Sequence, residues 1–190
     1  MRLLIISTLL GAMSALCGPI SYTVNRTIGA GSVMGTIQTD GTTGILGSGN
    51  ILDWNLLLND GTSSFTNLGP ASGNNSKLFF SATTNLTATA TQLLFDFGGL
   101  EGGVMFQNPF VGSSINYWCV QAGGSVCISG SVRGEGVRVN TALRTLEYGG
   151  NEVIGTAAGV PEPASIGLIA LGVTALLTRR AVARRKAVTA

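Results

Sequence analysis

A chain of 190 residues is long enough for one domain with a substantial core and too short for two of ordinary size. It contains no histidine, which excludes Ser–His–Asp triads, His-bearing zinc motifs and imidazole acid–base chemistry. The formal charge of +2 averages unlike segments: residues 18–159 hold eight acids against five bases, net −3, while the last dozen residues are basic.

In chain order, Met1-Arg2 precedes the apolar run Leu3 to Ala15, which ends in small residues before polar, strand-like sequence near Ser21. This is the three-part pattern of a signal peptide over residues 1–17, too short for a transmembrane helix, with cleavage between Ala15 and Ser21. Leu16 stands before Cys17 where lipoprotein processing requires a small residue.

The next stretch, residues 18–159, reads as one β-rich extracellular domain. Ser32 to Thr39 alternates apolar and polar residues and runs into Asp40-Gly41, a hairpin signal. Ile51 to Leu58 ends at Asn59-Asp60-Gly61. Further strands are predicted at Lys77 to Ala82, Leu86 to Phe97, Gly103 to Gln107, Ser114 to Val120, Ser125 to Ile128 and Val132 to Val139. Turn residues at this spacing predict an all-β fold, a single antiparallel β-sandwich or small barrel. Its core is expected from Ile37, Ile51, Trp54, Leu56, Phe79, Leu94, Phe95, Phe97 and Trp118.

Cys119 and Cys127 lie symmetrically about Gly123. A hairpin with its tip there would set them opposite each other, within disulfide reach. No metal site and no cofactor is read from the sequence.

The chain closes with Val160-Pro161-Glu162-Pro163, the apolar run Ala164 to Thr178, and the bases Arg179, Arg180, Arg184, Arg185 and Lys186. The two prolines enforce an extended segment. The apolar run predicts a short transmembrane helix, about 22 Å long, held by its basic end in the cytoplasm.

In that order, these three parts (residues 160–186) resemble the PEP-CTERM sorting signal. The resemblance implies a bacterial exported protein, handled by signal peptidase and then by an exosortase, a membrane transpeptidase acting near Pro-Glu-Pro. It implies transient anchoring in the inner membrane, then the cell surface or an extracellular matrix rich in polysaccharide. Tails of the same family are also labelled after ice-binding proteins. Gly35 to Gly41 and Ile51 to Leu56 resemble uncharacterised proteins of the group, from which no activity carries over.

Three functional readings remain for the domain. Tyr117 and Trp118 alternate on a strand, so one ring should face out and stack on a sugar, as a non-catalytic exopolysaccharide or biofilm protein requires. Thr87, Thr89 and Thr91 would line one strand face, resembling the Thr-x-Thr rows of ice-binding proteins. Asp53, Asp96, Glu101 and Glu135 could serve a glycan-active enzyme, which needs two carboxylates, but nothing in their spacing pairs them. The domain lacks the basic, aromatic-interleaved face of a nucleic-acid binder. Matrix association is the leading expectation.

Overall fold

The computed structural model describes residues 18–81, 85–109, 115–124, 126–128 and 132–158, and strand makes up 61% of them. The predicted signal peptide and the predicted sorting tail with its membrane helix lie outside the described residues. Among the described residues no helix is long and apolar enough to cross a membrane; a 3-10 turn at Ser48–Asn50 interrupts the strands.

The strands are β1 (Ile20–Ile28), β2 (Gly31–Thr39), β3 (Gly44–Ile45), β4 (Ile51–Asn59) and β5 (Ser64–Leu68). They continue with β6 (Lys77–Phe80), β7 (Leu86–Ala88), β8 (Gln92–Asp96) and β9 (Gly103–Asn108). The last four are β10 (Asn116–Ala122), β11 (Arg133–Val139), β12 (Ala142–Glu147) and β13 (Asn151–Ala157). Two antiparallel sheets result: eight strands in the order β3-β7-β8-β13-β1-β2-β4-β5, and five in the order β12-β11-β10-β9-β6.

Alternation drives the layering. In β1 the odd-numbered side chains are exposed, while Ile20, Tyr22, Val24 and Ile28 are buried. With Val33, Ile37, Trp54, Leu56 and Leu58 they form one core with Val104, Phe106, Trp118, Val120 and Val137 of the smaller sheet. Trp54 meets Phe106 edge-on with ring centroids 5.4 Å apart, and Phe106 stacks on Trp118 at 5.5 Å. The architecture is therefore a sandwich sealed by aromatic rings, each such pair contributing about 1 kcal/mol beyond its buried area.

Ile37, Ile51, Trp54, Leu56, Phe95, Phe97 and Trp118 occupy the expected core, whereas Phe79 is 43% exposed and Leu94 half-buried. The period-2 pleat explains both: Leu78 and Phe80 pack on the core from β6, and Leu93 takes the inward position beside Leu94. Leu86 to Phe97 is not one strand but the hairpin β7–β8. The hydroxyl of Thr89 accepts from the N–H groups of Thr91 and Gln92 at 3.2 and 2.8 Å and turns the chain. Asn59-Asp60-Gly61 is a tight turn, in which Asp60 accepts from the backbone of Ser63 at 2.7 Å and of Thr62 at 2.8 Å. Those bonds hold its carboxyl below the ordinary aspartate range. Asp40-Gly41 instead opens an eleven-residue excursion that carries β3 to the far edge of the sheet before β4 returns beside β2.

Cys119 and Cys127 are bridged, with Cα atoms 6.3 Å apart. The symmetric hairpin expected around Gly123 does not form: within the predicted strand Ser125 to Ile128 the described residues 126–128 are not in strand, and the strand partners of Cys119 are Gly136 and Met105. The described residues between β10 and β11 fold back over the outer face of the smaller sheet, where Met105, Tyr117, Cys119 and Ile128 form a second apolar cluster. Gln121, fully buried, anchors them: its amide donates to the carbonyls of Ile128 (3.2 Å) and Val132 (2.7 Å), and its oxygen accepts from the N–H groups of Cys127 (3.0 Å) and Ile128 (3.1 Å). Gly136 leaves room for this layer, because a Cβ there would lie 3.1 Å from Ile128 and 3.3 Å from the Cys119 sulfur.

Replacing Cys119 by Ser should lower stability by about 2–3 kcal/mol, the chain-entropy effect of so short a loop. Thermal melts of oxidised wild type and variant measure it, and coincident melts would assign the layer to Gln121 alone.

Candidate binding surfaces

The aromatic pair does face opposite ways, yet neither ring is open. Trp118 lies between the sheets at 0% exposure, and its indole N–H points to Glu135 Oε2 at 3.4 Å. Tyr117 faces outward but lies beneath the covering segment, donating its hydroxyl to the Cys127 carbonyl at 3.0 Å, with 6% exposure. Burial pushes its phenol above the ordinary range. The expected sugar platform at Tyr117 and Trp118 is thus covered.

The threonine row is also broken. Thr87 sits half-buried on β7, whereas Thr89 and Thr91 are exposed in the turn that follows. No single strand presents all three.

Three of the acids serve local structure. Asp53 accepts from the Ser72 hydroxyl at 2.5 Å and the Ala71 N–H at 3.0 Å; partial burial pulls its pKa up, and these bonds bring it below the ordinary value. Asp96 accepts from the Gly98 N–H at 2.9 Å. Asp40 accepts from Asn50 and Thr42, which lower its pKa in that order. Glu101 lies beside Gly123 and Gly124. Among the described residues no group of His, Cys, Asp and Glu could hold a metal ion.

Glu135 is different. It is fully buried on β11 and paired across the sandwich with Arg26 of β1, Nε to Oε1 at 2.8 Å and Nη2 to Oε1 at 2.5 Å. Nη2 makes no well-aligned hydrogen bond, so the pair is held by charge and by Nε. The guanidinium also lies over the Tyr148 ring, 5.2 Å from its centroid. Burial raises the Glu135 pKa despite Arg26 and Trp118. For Arg26, burial pulls down and Glu135 more than compensates.

The same arginine marks an opening in the larger sheet. Pairing of β1 with β13 is confined to Tyr22↔Ala157 and Thr23↔Thr156, because β13 bulges between Val153 and Gly155. Beyond that point Arg26 Nη1 donates to the Val153 carbonyl at 2.8 Å, a side-chain bond where the ladder has ended. A pocket of about 230 Å³ occupies the opening, with Thr23, Asn25 and Thr156 exposed at its rim and Arg26 and the Val153–Gly155 bulge lining it. Its arginine charge is already engaged by Glu135. What it offers a ligand is hydroxyl, amide and backbone groups, which suits a neutral, hydroxyl-rich molecule. Sequence reasoning missed this site because the strand-like sequence beginning near Ser21 was given neither bounds nor a partner strand. The clue was present: Arg26 falls on the parity of Tyr22, Val24 and Ile28.

The linkage has a definite sign. A carboxyl whose pKa is raised on folding favours the fold below its unfolded pKa, and that contribution disappears as pH rises through the folded value. Glu135→Gln, which resembles the protonated form, should therefore match wild type in acid and gain on it towards neutrality. Arg26→Met leaves a buried carboxylate uncompensated and should cost about 3–5 kcal/mol at neutral pH, and less in acid. Melting temperatures of both variants from acid to neutral pH test this. If Glu135→Gln loses ground as pH rises, pairing outweighs burial and the sign is reversed.

No curated protein and no solved structure matches the chain. One family model does, over residues 159–186, beginning directly after the last described residue, Ala158. The match takes in the tail alone. It is the PEP-CTERM protein-sorting motif, which makes the chain an exported protein sorted by an exosortase.

Proposed function

We propose that the domain is a non-catalytic surface or matrix component that associates with extracellular polysaccharide after its tail has been processed. The observation that carries this reading is the pocket at the β1–β13 opening, lined by uncharged polar groups and an already paired arginine, on a domain addressed to the cell surface. Hydroxyl-rich chains are bound by such convergent donors and acceptors, and a rigid sheet supplies them at low entropic cost. Asp40, Asp53, Asp60 and Asp96 each hold a turn or loop, and Glu135 is buried against Arg26; these engagements favour binding over hydrolysis. In this reading the chain enters the export pathway through residues 1–17 and is held in the membrane by its tail until the exosortase acts.

Two measurements test it. In a pull-down with exopolysaccharide from the native host, wild type should be retained, and Asn25→Trp, which fills the pocket, should not. Absence of retention, or release of reducing sugar, would overturn the binding reading. Intact-mass analysis of surface protein should give a species beginning between Leu16 and Tyr22 and ending between Pro161 and Ala164, with or without an added group. A full-length species at the surface would contradict processing.

A further inference from the structure

Both ends of the described domain meet at one pole of the larger sheet. Tyr22, near the start of β1, pairs with Ala157 at the end of β13. The Ala158 N–H donates to the Ser21 carbonyl at 3.3 Å, and the Ala157 N–H donates to the Thr91 carbonyl at 2.8 Å. The Tyr22 hydroxyl donates to the Thr89 carbonyl at 2.6 Å, fastening the Thr89–Thr91 turn to β1. The chain therefore leaves the fold between two neighbours, and the sorting motif starts at the next residue, 159.

Connectivity alone then limits reach. Pro161 is three Cα steps beyond Ala158, so it lies within about 11 Å of it. An edge strand could peel away and lend slack. β13 cannot do so cheaply, since it is hydrogen-bonded on both sides and is the link between β8 and β1. An enzyme acting near Pro161 of the folded protein must come against this pole.

We propose that the pole formed by Ser21, the Thr89–Thr91 turn and Ala158 is the surface against which the membrane-embedded processing enzyme seats itself. The proposal rests on the sorting reading of the tail and goes beyond it. The residues that pair with or bond the exit strand here are Ser21, Tyr22, Thr23, Thr91 and Gln92, none of them charged. On β2 the partner of Ile20, Thr39, is followed by Asp40, and Asp53 lies two strands away, opposite the Gln38 that pairs with Ser21. Ser21, Thr89, Ala90 and Thr91 are exposed. Small, uncharged groups let a second protein approach closely without stripping water from ions.

The test follows tail removal in the native host, using the full chain. Ala90→Trp should slow processing several-fold while leaving the melting temperature unchanged. A Gly/Ser spacer of eight residues after Ala158, reaching up to about 27 Å, should restore the rate. Ala30→Trp, in the β1–β2 turn at the opposite end of β1, should have no effect. Wild-type processing of folded Ala90→Trp, or a slowing that the spacer leaves unrelieved, would overturn the docking surface. An unprocessed wild-type tail would instead defeat the sorting reading on which it rests.

Discussion

Every ladder bond that joins β3, β7 and β8 to the rest of the eight-stranded sheet passes through β13. This strand is the last of the domain, and it pairs with the first. The larger sheet therefore cannot close until residues 151–157 are available, which makes the decisive contacts non-local and late in synthesis. A strand that must serve two neighbours is also hard to fit perfectly to both. β13 keeps five pairs with β8 and yields on the other side, where two pairs with β1 remain.

Arg26 is the response to that mismatch. At the bulge Val153 keeps its partner Leu94 on β8 but has none on β1, and an inward arginine on β1 supplies a donor to its carbonyl. Burying a guanidinium requires a counter-charge, and Glu135 on the opposite sheet provides it. The arrangement is not an economical source of stability, because desolvation still dominates the glutamate. What it gains is definition: the ion pair ties β1 to β11 across the sandwich and fixes the position at which the sheet opens. The pocket is the space left by this solution.

The sequence made the class of fold legible because alternation and turn chemistry are local. Ile51 to Leu58 and Asn59-Asp60-Gly61 became a strand and a tight turn as read. Alternation alone misled where side-chain bonding to the backbone competes with extension, as at Thr89, whose hydroxyl turns a Thr-rich run into a hairpin. The disulfide was foreseen from symmetry, yet it forms between a strand and the segment layered over it, with Gly136 making the space. For the same reason Tyr117 looked available: pleat parity says which way a ring points, not what lies on top of it. The tail was legible as a motif. The candidate pocket was not, since it depends on the pairing of strands far apart in sequence and on a bulge that no spacing announces.

The described fold ends where the sorting motif begins. The last buried apolar residue of the fold is Ile154, and the final pairings and backbone bonds are made by Thr156, Ala157 and Ala158. Contacts divide the chain between Ala158 and Gly159. A cut near Pro161 removes no core side chain and no ladder bond among the described residues. Because β13 lies at the centre of the sheet, the domain fixes the position of its last described residue, Ala158, beside Ser21 near the start of β1.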